Sequence, residues 1–197
     1  GFVTSYGSEL HINDEPAQED SILVKRMKDQ GCIVIGKTNT PEFGYKGKTD
    51  NVPFGTTKNP WNLDYSPGGS SGGTAAAIAS GMIPLGTASD GGGSIRIPAA
   101  LSGLAGIKTS QGRIPIESNK PPGSGVLTVK GLLANSTEDN AMALDATVGP
   151  DPTDIFSLES ENLNWAKQLN DELPKTVIWS PTMGFSIVDK EILSTCE

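Results

Sequence analysis

Ser66-Pro-Gly-Gly-Ser70-Ser71-Gly-Gly-Thr74, an Ala-rich stretch, a short apolar run and then Asp90-Gly91-Gly92-Gly93-Ser94-Ile-Arg96-Ile-Pro98 form the segment whose reading decides the fold. Two glycine-cradled serines on one small helical unit point to acyl transfer. That chemistry needs a hydroxyl nucleophile beside a proton acceptor, and backbone N–H groups aimed at a developing oxyanion. Gly91, Gly92 and Gly93 suit the second task, because without Cβ atoms they turn successive N–H groups into one concavity and let a carbonyl approach closely. Ser94 ends the run and opens a predicted helix over 95–101, so its hydroxyl sits where helix-terminal N–H groups point. A flexible linker has similar composition, but apolar segments that need burial follow each glycine run at once.

Helix and strand signals alternate outward from this segment. Asp20-Ser21 caps a predicted helix carrying Ile22, Leu23, Arg26 and Met27, and Gly31 ends it; Cys-Ile-Val-Ile at 32–35 then reads as a buried strand. A polar loop spans 46–69, with Pro53, Pro60 and Pro67 as turn signals. The spacing predicts a helix over 74–80 stopped by Gly81, and the apolar run 82–87 leads into the second serine loop. After a Pro/Gly/Ser-rich loop at 117–125, residues 126–133 read as a strand. Ser136-Thr-Glu-Asp139 starts a helix with Met142, Leu144 and Val148 inward, closed by Gly149-Pro150. An amphipathic stretch near Trp165 and Leu169, a strand over 176–179 and an amphipathic helix carrying Val188, Ile192 and Leu193 complete the series. The expectation is α/β: a mixed β-sheet covered by helices on both faces.

The pattern Gly-Gly-Ser-Ser-Gly-Gly (68–73), then Asp90 to Pro98, then Gly106-Ile-Lys108-Thr-Ser-Gln-Gly112-Arg113, is similar throughout to the amidase signature family, over about residues 21–149. The resemblance implies hydrolysis of a carboxylic amide by a Ser–Ser–Lys triad through an acyl-enzyme, with no metal or cofactor. It makes Ser94 the nucleophile and Ser70 the bridging serine, entered through a cis peptide bond. It puts Gly91, Gly92, Gly93 and Ser94 on the oxyanion hole, and Ser71, Asp90 and Arg96 on supporting positions. The lysine of the triad precedes a segment resembling Gly1-Phe-Val-Thr-Ser-Tyr-Gly7-Ser8, so its expected place is upstream of residue 1; Lys37 and Lys108 match other positions of the pattern. Family members run to about twice this length, so residues 1–197 are expected to be a partial catalytic domain, inactive by itself. The same signature occurs in the glutaminase subunit of tRNA-dependent amidotransferases, and a scaffold without its base is a non-enzymatic alternative.

The remaining features narrow the function. A formal charge of −8 over 197 residues argues against nucleic acid or an anionic membrane as partner. No apolar run approaches the roughly 18 residues of a membrane span. The expected partner is a small-molecule amide, with a homodimer left open and the cytoplasm as compartment. Cys32 and Cys196 make neither a metal spacing nor a disulfide framework, and Cys32 reads as a buried thiol. Gly31-Cys-Ile-Val-Ile-Gly36-Lys37-Thr38 satisfies the letter of a phosphate-binding loop, but its interior is itself the strand and Asn39-Thr-Pro41 is poor material for the helix such a loop must open. His11, the only histidine, lies in a polar loop. Asp14, Glu15, Glu19 and Asp20 read as a solvated acidic patch.

Overall fold

The computed structural model describes residues 1–117, 127–159 and 164–196. Its helices begin and end where local chemistry satisfies the orphan backbone groups. α1 (Ile22–Asp29) is capped by Ser21, whose hydroxyl accepts the Val24 N–H at 3.4 Å. Gly31, with φ of 88°, closes it through the Cys32 N–H to Met27 and Gly31 N–H to Lys28 hydrogen bonds of a Schellman motif. A small hairpin, β1 (Asp50–Asn51) and β2 (Gly55–Thr56), interrupts the polar loop. α2 (Gly72–Ala79) ends in a second Schellman motif, with Gly81 at φ of 77° and the Met82 N–H on the Ala77 carbonyl.

β3 (Leu85–Asp90), α3 (Arg96–Ser102), β4 (Ala105–Gly106), β5 (Val129–Ala134) and α4 (Thr137–Thr147) follow. The short helices α5 (Trp165–Gln168) and α6 (Lys190–Cys196) come last. Ser136 caps α4 by accepting the Asp139 N–H at 3.0 Å, while its hydroxyl donates to the Asp139 carboxylate at 2.8 Å.

The sheet has the order β3-β5-β4, with Leu85 opposite Ala134 and Asp90 opposite Val129. Successive β5 residues face opposite sides. Leu133 packs with Ala88 of β3 and with Ala75, Ile78, Ile95 and Ala99 of the α2–α3 side. Leu132 packs with Leu23, Ile114, Ala143 and Leu144 under α1 and α4. Helices therefore cover both faces, as an α/β unit requires; both described pairings of this sheet are antiparallel. Arg26 fastens α1 to the end of α4, its guanidinium donating to the carbonyls of Thr147, Val148, Gly149 and Pro150 at 2.8 to 3.0 Å. It neutralises the carbonyl end of the helix.

Several expectations fail. Residues 32–35 form no strand, and Cys32, Ile33, Val34 and Ile35 are exposed. The run 176–179 is likewise outside any strand, with Ile178 97% exposed. A strand needs a neighbour for its N–H and C=O groups, and among the described residues neither run has one. Met142 also faces outward, because α4 turns its small residues Ala141 and Ala143 and the Asn140 amide inward. Most of the loop at 117–125 lies outside the described residues, which resume at 127.

Close backbone approach leaves no room for a side chain at Gly73. A Cβ there would lie 2.3 Å from the Asn39 carbonyl oxygen and 2.4 Å from its nitrogen, whereas at Gly36 it would meet nothing within 4 Å. Gly73→Ala should cost about 1–3 kcal/mol of stability by overpacking, and Gly36→Ala should stay within about 0.5 kcal/mol. Urea unfolding of both variants checks this; equal stabilities would refute it.

Candidate active site

The site is built where β3 stops. Asp90, the last strand residue, is fully buried and folds its carboxylate back over the turn that follows. Its Oδ1 accepts the Gly93 N–H at 2.8 Å. Its Oδ2 accepts the N–H groups of Ile95 and Arg96 at 3.2 and 3.3 Å. The Arg96 guanidinium closes the loop with two bonds of 3.0 Å, Nε to Oδ2 and Nη2 to Oδ1. Gly93 takes φ of 119°, a conformation in which a side chain is strained; a Cβ there would also meet Ile97 at 2.8 Å.

The N–H groups of Gly91, Gly92 and Ser94 carry no hydrogen bond among the described residues, while that of Gly93 is taken by Asp90. Among the described residues, then, three of these N–H groups have no partner and that of Gly93 holds the turn. α3 starts at Arg96 rather than directly after Ser94, because the Asp90 carboxylate occupies the helix entrance that the Ser94 hydroxyl was expected to face.

The second serine loop lies against the first. The Ser71 N–H donates to the Ser94 carbonyl at 3.2 Å, and the Ser71 hydroxyl accepts the Ser89 N–H at 3.5 Å. The peptide bond Gly69–Ser70 is cis. Ser70 is buried, and among the described residues neither its hydroxyl nor that of Ser94 has a hydrogen-bond partner. The structure thus brings Ser70, Ser71, Ser94, Asp90 and Arg96 together with the glycine turn.

Residues that sequence reasoning passed over hold this loop. The Thr40 hydroxyl donates to the Ser70 carbonyl at 3.1 Å. The fully buried Thr49 hydroxyl accepts the Gly72 N–H at 3.1 Å and donates to the Gly68 carbonyl at 2.9 Å. The Asn39 carbonyl accepts the Gly73 N–H at 3.1 Å. All three lie in stretches that read as turn or polar loop, and no spacing in the sequence marks them.

Other candidates stand elsewhere. No helix opens after Lys37-Thr38; the Thr38 hydroxyl pairs with that of Thr74 at 2.7 Å, and Lys37 Nζ donates to the Thr4 hydroxyl, so no phosphate cradle forms. A cleft of about 470 Å³ beside α1 is lined by Glu19, Lys25, Arg26, Glu117 and Asp151 among others, and by no residue of the serine loops. Among the described residues no three His, Cys, Asp or Glu side chains converge on a metal site, and no helix is long and apolar enough to cross a membrane.

A strand running into a carboxylate-gripped glycine turn, with a second glycine–serine loop bonded to it, defines an amidase-type scaffold. The family model described as Amidase matches residues 1–182, and the chain belongs to the amidase signature family. The chain is 40% identical to an acylamidase of Rhodococcus erythropolis over 197 residues, all of this chain and 41% of the relative. It is 38% identical to a glutamyl-tRNA(Gln) amidotransferase subunit of Halothermothrix orenii over 187 residues, 95% of this chain and 39% of the relative. A solved bacterial aryl acylamidase of the amidase signature family superposes with a TM-score of 0.77 at 34% identity, covering 86% of this chain and 35% of that one. The chain therefore spans well under half the length of the relatives it matches.

Burial alone would push the Asp90 carboxyl up, but the Arg96 guanidinium and the N–H groups of Gly93, Ile95 and Arg96 outweigh it and hold it at about 2. Since the folded value lies below the ordinary carboxylate value, Asp90 stabilises the fold at pH above the usual carboxylate range. On the order of 2 kcal/mol is lost as pH falls from roughly 4 to 2. Asp90→Ala, which orphans the guanidinium and three N–H groups, should cost about 3 kcal/mol at neutral pH and remove that acid dependence. Thermal unfolding at pH 7 and pH 3 checks both; a variant as stable as the parent would refute the role.

Proposed function

We propose that the protein carrying this chain hydrolyses a carboxylic amide through a seryl acyl-enzyme. The observation that carries the reading is the Ser71–Ser94 backbone bond, which holds a buried serine beside a glycine turn whose Gly91, Gly92 and Ser94 N–H groups have no partner among the described residues, in an amidase-family chain. Ser94 attacks the amide carbonyl, and the N–H groups of Gly91, Gly92 and Ser94 stabilise the oxyanion while Gly93 and Asp90 hold the turn. Ser70 relays the Ser94 proton toward a base and returns a proton to the leaving amine; water then cleaves the ester.

The base is assigned to a lysine outside these 197 residues, which a longer parent would supply; the share of the relatives that this chain covers supports that assignment. Residues 1–197 are then a partial catalytic domain, with the core at about 21–149. The substrate is a small-molecule amide, the compartment cytoplasmic and any assembly a homodimer. A second reading, the glutaminase subunit of a tRNA-dependent amidotransferase, is favoured by the 38% identity to the Halothermothrix orenii relative.

A serine-directed fluorophosphonate should add once to the parent protein, and Ser94→Ala should abolish the adduct and lower amide turnover at least about a thousandfold. Intact mass before and after treatment reads this out. A parent that turns over amides but is labelled equally with and without Ser94 would refute the assignment, and release of ammonia from glutamine would favour the second reading.

A further inference from the structure

Three aromatic rings stand together next to the Ser70 loop. Tyr6 and Phe43 stack with centroids 6.1 Å apart and planes 23° apart, and His11 meets both edge-on at 5.4 and 5.9 Å. The His11 ring is oriented by its Nδ1, 2.8 Å from an Asp14 carboxylate oxygen. The Phe43 N–H donates to the Tyr6 carbonyl at 2.8 Å. The next residue, Gly44, passes so close to Ser70 that a Cβ there would lie 3.5 Å from the Ser70 hydroxyl oxygen. On the other side a Cβ at Gly7 would lie 2.6 Å from the carbonyl oxygen of Thr40, the residue whose hydroxyl holds the Ser70 carbonyl. Residues 40–44 thus carry the ring cluster and the Ser70 loop on one support.

The cluster does not serve either core. Tyr6 is 48% and Phe43 52% exposed, and both take left-handed φ values, 53° and 51°, that bulky side chains seldom adopt. Strained backbone that holds half-exposed rings on the segment whose Gly44 touches the Ser70 hydroxyl is the expected structure of a ligand contact. Aromatic rings bind a further flat ring by the same edge-and-face contacts.

We propose that Tyr6, His11 and Phe43 form the subsite for an aryl group of the amide substrate. The inference takes its substrate from the amide-hydrolysis reading but is tested by binding, which needs no turnover. In the parent protein carrying Ser94→Ala, benzamide and butyramide are titrated by calorimetry, with benzamide expected to bind more tightly. Adding Phe43→Ala should weaken benzamide about tenfold and leave butyramide within about twofold. Retained butyramide binding shows that the loop still folds; where Phe43→Ala loses both ligands, Phe43→Leu and Tyr6→Leu decide by the same selective loss.

No preference for benzamide in the starting protein, or variants that weaken both ligands alike or neither, overturns the subsite. Phe43-dependent benzamide binding in a parent that hydrolyses neither amide would instead sink the hydrolysis reading and leave the subsite standing. Hydrolysis without Phe43 dependence would do the reverse.

Discussion

The buried carboxylate of Asp90 organises the site. One group accepts three backbone N–H groups and a two-bond guanidinium contact, all within six residues of itself. A buried charge is tolerated only when it is paired and hydrogen-bonded, so this arrangement forces the chain to turn at Gly93 and bring Arg96 back. Among the described residues the turn leaves the N–H groups on either side of Gly93 without hydrogen-bond partners. Their orientation is a by-product of satisfying Asp90, and under the proposed reaction they are donors whose geometry is set before any ligand arrives.

The second constraint is backbone proximity. Gly69, Gly72 and Gly73 sit where a Cβ would come within 2.9 Å of residues 39, 46, 48 or 49. That closeness lets Thr40, Thr49 and Asn39 reach the Ser70 loop with short side chains or main-chain carbonyls. The glycines therefore serve packing at one loop and turn conformation at the other, although the two runs look alike in the sequence.

Local signals were legible because their causes are local. The caps at Ser21 and Ser136 and the stops at Gly31 and Gly81 each depend on residues within about one turn of the chain. The apolar runs at 32–35 and 176–179 misled for the opposite reason. Hydrophobicity and β-branching mark a chain that fits a strand, but a strand also needs a neighbour to pair with, and among the described residues neither run has one.

The sequence by itself determined the two glycine–serine loops, their order on an α/β unit, and the chemistry that their residue types permit. Only the tertiary structure decided that Gly93 gives its N–H to Asp90, that Thr40 and Thr49 hold the Ser70 loop, and that Tyr6, His11 and Phe43 gather beside it. Those contacts, the Asp90 turn and the Tyr6–His11 pair apart, join residues that are far apart in the chain. Hydrogen bonds and ring contacts at such separations follow from chain packing, which leaves no periodicity or spacing to read.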